Sequence, residues 1–126
     1  IYAVAISPNN QIIASAGEDR RMHIWNASSG AKLRTLAGHT DRLQELAFSP
    51  DGRILASASN DKTVKLWDVA SGALLATLSG HTGWVLSLAF SPDGKLLASG
   101  SGTGDQTIRI WEVGTGKEIR VLSKFN

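Results

Sequence analysis

Residues 38–68 read GHTDRLQELAFSPDGRILASASNDKTVKLWD, and altered copies of this stretch lie on both sides of it. The Ser-Pro pair that follows its first apolar run recurs 42 residues apart each time, as Ser7-Pro8, Ser49-Pro50 and Ser91-Pro92. Trp25 and Trp67 are also 42 residues apart, whereas Trp67 and Trp111 are 44 apart. A period of about 40–45 residues is typical of propeller blades, each built from four strands.

Each copy contains four short apolar runs separated by turn-forming residues, and we predict one strand from each run. The connections are too short for a parallel crossover, so each copy is predicted to be an antiparallel sheet. We therefore predict an all-β chain that is a single propeller segment, with blades at about residues 1–37, 38–79 and 80–126. The predicted strands are 2–6, 12–16, 22–25, 32–36, 43–48, 53–57, 63–67, 73–78, 85–90, 95–99, 107–111 and 117–122.

The composition indicates a globular chain, with 42% hydrophobic residues, 19% charged residues and a net charge of +2. No apolar run approaches the roughly 18 residues of a membrane span. The lysines and arginines are scattered between acids, so we expect neither nucleic acid nor a membrane as a partner. Cysteine is absent, which excludes disulfides and fits a reducing compartment, and we expect a cytoplasmic location. Because the chain begins with Ile1, we also expect it to be a segment of a longer protein.

These residues resemble the WD-repeat family of β-propellers over essentially the whole chain. Two clear copies and one weaker copy lie in register, although only Trp67-Asp68 spells the tryptophan-aspartate pair of the family. The resemblance implies three four-stranded antiparallel blades, either as part of a ring or as a ring completed by oligomerisation. The shared motifs are GHT at 38–40 and 80–82, AFSPDG at 47–52 and 89–94, ASAS or ASGS at 56–59 and 98–101, and D-x-T-(V/I)-(K/R)-(L/I)-W at 61–67 and 105–111.

Serine, histidine and aspartate, the residue types of a catalytic triad, recur in the same order before the repeat tryptophan, and the aspartate is always six residues before it. A triad is recognised by geometry and roles, however, and an enzyme does not need a nucleophile in every blade. The resemblance instead implies a structural hydrogen-bond chain from Trp through Ser and His to Asp. In the second copy Ser57 is favoured over Ser59, and in the first copy the histidine would precede Ile1. The implied members are His39, Ser57, Asp61, Trp67, His81, Ser99, Asp105, Trp111, Ser15, Asp19 and Trp25.

We expect no metal ion and no other cofactor. His39 and His81 are accounted for by the repeat, and His23 occupies the position of Lys65 and Arg109, so we expect it at the surface. Residues 100–104 read GSGTG, but they join two predicted strands and open no helix. They therefore lack the context of a phosphate-binding loop, and we expect a surface loop there.

The resemblance also implies that the loops between fourth and first strands share one face of the disc with the loops between second and third strands. Arg42 and Trp84 occupy the same repeat position at the mouth of the central channel, while Arg20 and Lys62 lie in neighbouring loops. Tryptophan and arginine are enriched at binding hot spots. These four residues are the candidate partner-binding residues; the alternative for Trp84 is packing on a neighbouring loop.

We predict a non-enzymatic scaffold or sensor module that binds a protein or peptide, as in the propeller portions of signalling proteins. The alternative is a structural assembly module. Three blades leave two outer faces bare, and propellers typically close at about 4–8 blades, so two chains would complete a six-bladed homodimer. A third alternative is an enzyme or a sugar-binding propeller, for which Glu45 is the one acidic residue that departs from the repeat.

Overall fold

The computed structural model describes residues 3–17, 19–102 and 104–123, and within them it contains twelve strands and no helix. Every strand pairs antiparallel with its sequence neighbour, in the orders β1-β2-β3-β4, β5-β6-β7-β8 and β9-β10-β11-β12. The predicted all-β fold with three four-stranded antiparallel sheets is confirmed; these sheets are blades 1, 2 and 3. The strands are β1 (Ala3–Ile6), β2 (Ile12–Ala16), β3 (Arg21–Asn26), β4 (Lys32–Ala37), β5 (Leu43–Phe48), β6 (Ile54–Ser59), β7 (Thr63–Asp68), β8 (Leu74–Ser79), β9 (Val85–Phe90), β10 (Leu96–Ser101), β11 (Ile108–Glu112) and β12 (Lys117–Leu122).

The second strands of blades 2 and 3 extend further than the sequence predicts. β6 ends at Ser59 rather than at residue 57, and β10 ends at Ser101 rather than at residue 99. Ser59 pairs with Leu43 and Ser101 with Val85, so the additional residues complete the ladder with the first strand of each blade. Alanine, glycine and serine do not form an apolar run, which is why the hydrophobic pattern misses this end of the strand.

The hydrophobic core consists of two layers, each lying between consecutive blades. Because side chains alternate along a strand, Leu55 and Trp67 of blade 2 pack towards blade 1, whereas Ala56 and Leu66 pack towards blade 3. The first layer contains Ala3, Ala14, Ala16, Met22, Ile24 and Leu36 of blade 1 with Leu43, Leu46, Leu55, Trp67 and Val69 of blade 2. The second contains Ala56, Ala58, Val64, Leu66 and Leu78 of blade 2 with Val85, Leu97 and Trp111 of blade 3.

The first strands of the blades, β1, β5 and β9, lie side by side, and the other strands follow outwards in order. Successive strands run in opposite directions, so the β2–β3, β6–β7 and β10–β11 loops lie at the same end of the blades as the β4–β5 and β8–β9 connections. We call this end the loop face. The opposite end carries the tight β1–β2 and β3–β4 turns and their equivalents in the other blades.

Arg34 of β4 connects blade 1 to blade 2. Its Nη1 donates a hydrogen bond to the Ser71 carbonyl oxygen at 2.8 Å, and its Nη2 donates to the Ala70 carbonyl oxygen at 2.6 Å. The close approach requires a glycine at residue 72, which has a φ of 78° and whose ideal Cβ would lie 2.9 Å from Arg34 Cδ. A side chain on Gly72 would therefore displace the arginine from the turn.

We expect Arg34→Ala to lower the free energy of unfolding by about 1–2 kcal/mol, because it removes two hydrogen bonds between blades. Urea denaturation followed by circular dichroism measures this loss. Arg120→Ala is the matched control, since Arg120 pairs with Ile110 as Arg34 pairs with Ile24 but donates no hydrogen bond from its side chain within the described residues. The control should lose less than about 0.5 kcal/mol. Equal losses would mean that the bonds to the turn contribute no stability.

Candidate functional site

A chain of four side chains connects the loop face of blade 2 to its interior. Trp67 Nε1 donates a hydrogen bond to Ser57 Oγ at 2.9 Å. Ser57 Oγ lies 2.6 Å from His39 Nε2, and His39 Nδ1 lies 2.7 Å from Asp61 Oδ2. A carboxylate only accepts hydrogen bonds, so His39 donates from Nδ1; in the tautomer that carries its proton on Nδ1, Nε2 accepts from the Ser57 hydroxyl. The chain thereby ties the β4–β5 connection to β6, β7 and the β6–β7 loop.

Blade 3 contains the same chain. Trp111 Nε1 donates to Ser99 Oγ at 2.8 Å, and Ser99 Oγ lies 2.7 Å from His81 Nε2. His81 Nδ1 lies 2.6 Å from Asp105 Oδ2. The two extra residues in the β10–β11 loop leave this geometry unchanged. In both blades the structure therefore brings together all four residues that the resemblance implies, with Ser57 rather than Ser59 bonded to the tryptophan of blade 2.

Two threonines that sequence reasoning assigned no role belong to the same arrangement. Thr63 Oγ1 donates a hydrogen bond to Asp61 Oδ1 at 2.6 Å, and Thr107 Oγ1 donates to Asp105 Oδ1 at 2.6 Å. The Asp-x-Thr spacing in both repeats is the signal that identifies them. Each aspartate therefore accepts from a histidine and from a threonine on the strand that follows it.

Blade 1 arranges its residues differently. Trp25 Nε1 donates to Ser15 Oγ at 2.9 Å, which keeps the first link of the chain. Asp19, however, pairs with His23 Nε2 at 3.1 Å, and its side chain is 51% exposed. The sequence predicts His23 to be simply a surface residue. Its Nδ1 also lies 3.3 Å from Thr35 Oγ1. The structure thus places Asp19 in a separate surface pair rather than with Ser15 and Trp25.

The serine–histidine–aspartate trios have triad-like connectivity, but they cannot act as triads. Ser57 and Ser99 are completely or almost completely buried, and so are the side chains of His39 and His81. Each serine hydroxyl also accepts a hydrogen bond from a buried tryptophan, so its oxygen is enclosed within the blade. A nucleophile must reach its substrate, so these groups hold the fold instead.

Burial and hydrogen bonds act in opposite directions on the acidic groups of the chains. Burial raises the pKa of Asp61, but the hydrogen bonds from His39 and Thr63 outweigh it and hold that pKa well below its usual range. Burial likewise raises the pKa of Asp105, and the hydrogen bonds from Thr107 and His81 hold it well below its usual range. For His81, burial lowers the pKa, and the bond to Asp105 only partly offsets this effect.

We expect the free energy of unfolding to fall in two steps as the pH is lowered. The pKa of His81 is lowered in the folded state, so His81 takes up a proton more readily in the unfolded chain. Stability is therefore lost as the pH falls below about 6.5. The lowered pKa values of Asp61 and Asp105 stabilise the fold above about pH 4, and this contribution is lost on further acidification. Urea unfolding over a pH series measures both steps.

His81→Gln tests the assignment of the first step. Glutamine does not titrate, so the free energy of unfolding of the variant should no longer depend on pH near 6, at about the pKa of free histidine. The step below about pH 4 should remain. A wild-type free energy of unfolding that is constant between about pH 8 and about pH 5 would contradict the expectation.

On the loop face, Trp84 differs from the repeat tryptophans. Its side chain is 54% exposed, whereas Trp67 and Trp111 are each 2% exposed. Trp84 and Lys62 share a cavity of about 600 Å³ between blades 2 and 3. Its remaining lining residues are Gln44, Thr82, Gly83, Leu86 and Gly102. The structure thus brings together two of the four candidate partner-binding residues.

The other two candidates, Arg20 and Arg42, are exposed on the loop face but do not line this cavity. The backbone of Arg42 has a local structural role, since its carbonyl oxygen accepts hydrogen bonds from Asn60 N at 2.9 Å and from Ser59 Oγ at 2.8 Å. These bonds hold the β6–β7 loop, and with it Lys62, against the β4–β5 connection.

Gln44 and Leu86 are the cavity residues that sequence reasoning missed. The β5–β6 register skips Gln44, and the β9–β10 register skips Leu86, so each residue is unpaired in an irregularity of the first strand of its blade. A β-bulge changes the direction of a side chain relative to its neighbours. Both residues consequently line the cavity, and nothing in the alternation of the sequence indicates it.

Among the described residues, no group of three or more histidine, aspartate or glutamate side chains is arranged to hold a metal ion. The same part of the chain contains no helix that is long and apolar enough to cross a membrane.

Consecutive antiparallel blades, tied internally by repeated Trp–Ser–His–Asp chains, define a β-propeller built from sequence repeats. The model of the WD40 family (WD domain, G-beta repeat) matches residues 1–26, 30–68 and 72–112. The chain belongs to this family, whose propellers generally serve as scaffolds for protein interactions.

Two curated proteins are similar to short parts of the chain. A probable serine/threonine-protein kinase, PkwA of Thermomonospora curvata, is 52% identical over 39 residues, which are 31% of this chain and 5% of that protein. A lissencephaly-1 homolog of Monosiga brevicollis is 43% identical over 47 residues, which are 37% of this chain and 12% of that protein. The chain therefore matches only a small part of either relative.

Solved structures match over the whole fold. The structure of U3-55K superposes with a TM-score of 0.94 at 29% identity, covering 100% of this chain and 40% of that one. The crystal structure of the RRP9 WD40 repeats gives a TM-score of 0.93 at 29% identity, covering 98% and 38%. The chain thus spans about two fifths of the solved structures it matches.

Proposed function

We propose that this chain is a non-catalytic scaffold or sensor module that binds a protein or peptide partner through its loop face. The exposed indole of Trp84 carries the proposal. It lies beside a cavity between two blades, whereas the repeat tryptophans at Trp67 and Trp111 are buried in the core. A large aromatic side chain at the rim of a concave site is the type of residue that dominates binding energies at protein interfaces.

The charges of the loop face support a protein partner as well. Arg20, Arg42 and Lys62 are exposed there, and arginine is enriched at interfaces because its planar group forms several hydrogen bonds at once. These residues are few and dispersed, which disfavours nucleic acid as the partner. A cytoplasmic location and the absence of a membrane partner stay predictions.

The test is a selection of phage-displayed random peptides on the immobilised protein. Selected peptides should bind the Arg42→Ala/Trp84→Ala double variant at least about tenfold more weakly, because truncating hot-spot residues costs upwards of about 1–2 kcal/mol. Leu33→Ala/Lys117→Ala is the matched control, since it removes an exposed apolar residue and a cation next to the β3–β4 and β11–β12 turns of the opposite end. Equal retention on the loop-face and control variants would contradict the proposal.

A second candidate, a structural assembly module, is favoured by the two outer sheet faces. Val4 is 56% exposed, whereas Leu46 at the same repeat position is 4% exposed between blades 1 and 2. Leu122 is 41% exposed, whereas Leu78 at the same position is 1% exposed between blades 2 and 3. Blade 3 of one chain could therefore pack on blade 1 of another as the blades pack within the chain, and two chains would give a six-bladed ring.

Light scattering over a concentration series tests the assembly. A stable mass twice that of the chain supports a closed homodimer, and Leu122→Asp should then return the mass to that of one chain because a charge would be buried between blades. Arg42→Ala/Trp84→Ala should leave the mass unchanged. A mass of one chain at every concentration would contradict assembly as the function.

A further inference from the structure

The cavity between blades 2 and 3 has an apolar side and a cationic side. Trp84 and Leu86 form the apolar side, and Lys62, together with the neutral Gln44, forms the cationic side. We infer that it takes an extended segment of a partner protein in which an acidic side chain lies within one or two residues of an apolar one. This inference rests on the proposed function, and it specifies the chemistry of the partner.

The apolar side is built by the irregularity in β9. Leu86, which the β9–β10 register skips, is 41% exposed next to Trp84. Gly102 makes room for it, because an ideal Cβ at Gly102 would lie 2.6 Å from Leu86 Cδ1. The Gly102 amide donates a hydrogen bond to the Trp84 carbonyl oxygen at 3.2 Å, which links the two loops that form this wall. An apolar ligand side chain would cover surface that is otherwise in water.

The cationic side is provided by Lys62. Its backbone has a φ of 76° and its amide donates to the Ser59 carbonyl oxygen at 3.3 Å, so the loop holds the residue in a left-handed conformation at the rim. Within the part of the chain that the structure describes, no carboxylate forms an ion pair with its ammonium group. The charge of Lys62 is therefore available to an incoming carboxylate.

The acidic residues of the β6–β7 and β10–β11 loops, Asp61 and Asp105, are engaged by hydrogen bonds within their own blades. Asp61 is bonded to His39 and Thr63, and Asp105 is bonded to Thr107 and to the histidine of its own blade. Their carboxylates are directed into the blades rather than towards the cavity. Among the described residues that line the cavity, Lys62 alone is charged, and its ammonium group attracts an acidic segment and repels a basic one.

Gln44 supplies a group that suits a peptide backbone. Its Nε2 donates a hydrogen bond to Asn60 Oδ1 at 2.8 Å, which fixes the side-chain amide, and its carbonyl oxygen accepts no hydrogen bond within the described residues. An extended peptide presents N–H groups that can donate to this oxygen. The cavity volume of about 600 Å³ lies within the range of small-ligand sites, so it accommodates a short segment rather than a folded domain.

To test the inference, peptides are first selected on the wild-type protein. Those that no longer bind the Trp84→Ala variant are then sequenced. We expect them to contain aspartate or glutamate within one or two residues of an apolar side chain. Replacing that acid by lysine in a synthetic copy of the strongest peptide should weaken binding about three- to tenfold, which is the range of an exposed ion pair changed into a repulsion. Lys62→Glu should reverse the preference.

Two further variants separate charge from structure. Lys62→Gln should lose the preference for the acid and stay folded, because Gln106 occupies the same repeat position with a similar φ of 55°. Lys117→Glu makes the same charge change as Lys62→Glu, but at the opposite end, and should leave the preference unchanged. Peptides that depend on Trp84 but show no preference for acid would overturn this inference and leave the proposed function standing. An absence of peptides that depend on Trp84 or Arg42 would overturn both.

Discussion

Trp67→Ala is expected to lower the free energy of unfolding by about 3–5 kcal/mol, the range measured when a buried tryptophan or phenylalanine is truncated. Trp67 fills the layer between blades 1 and 2, and its ring lies so close to the β4–β5 connection that an ideal Cβ at Gly38 would be 3.0 Å from Cη2. Truncation would leave a cavity between two rigid sheets and remove the N–H that Ser57 Oγ accepts. A small domain is stable by only about 5–15 kcal/mol, so this is a large share.

The measurement is urea denaturation followed by far-ultraviolet circular dichroism, because tryptophan fluorescence changes with the substitution itself. Trp84→Ala is the matched control: the same side chain is removed, but from the surface, and the loss should stay below about 1 kcal/mol. If the two variants were equally stable, the repeat tryptophan would not be part of the core that holds the blades together.

Asp61→Ala is expected to lower the free energy of unfolding by about 3 kcal/mol, because it leaves the buried His39 and three further donors without an acceptor. The carboxylate accepts four hydrogen bonds, from His39 Nδ1 at 2.7 Å, from the Thr40 amide at 3.1 Å, and from the Thr63 hydroxyl and amide at 2.6 and 3.0 Å. These bonds join the connection between blades to the loop of the next blade. Their loss should also accelerate exchange of the Thr40 and Thr63 amide protons with solvent.

Asp19→Ala is the control within the same chain. Asp19 has the same repeat position, but its side chain is half exposed and it pairs with His23 at the surface, so the loss should be below about 1 kcal/mol. A double-mutant cycle of His39→Gln with Asp61→Ala should show a coupling of at least about 1 kcal/mol. Additive effects of the two substitutions would mean that the buried pair is not an energetic unit.

The strands and their pairing are largely contained in local sequence. Short apolar runs, turn residues such as those of Ser-Pro-Asp-Gly, and the repeat of 42–44 residues predict each strand to within two residues and show where the chain reverses. Turn chemistry acts over a few residues, so it is readable without knowledge of the fold. The tight turns at Gly52 and Gly94, with φ of 74° and 73°, are examples in which the residue type and the conformation agree.

The hydrogen-bond chains could be predicted from the sequence only in part. Repetition of His, Ser, Asp and Trp in the same order indicates that they act together, and the family resemblance supplies the order of the links. The same repetition cannot show that Asp19 pairs with His23, because that depends on which side chain of β3 lies next to the β2–β3 loop. His23 stands where the other blades have Lys65 and Arg109. It gives Asp19 a different partner, although the repeat pattern is unchanged.

The sequence by itself determined the repeat and the antiparallel meander, since both follow from residue types at short and regular spacing, while the family resemblance implied the buried hydrogen-bond chains. Only the tertiary structure decided where a partner could bind. The irregularities in β5 and β9 direct Gln44 and Leu86 to the loop face, and the stacking of blades 2 and 3 places them beside Lys62 and Trp84. A single unpaired residue in a strand changes no hydrophobic period, and the distance between two sheets is set by their whole packed surface. These contacts therefore exist only once the blades have packed.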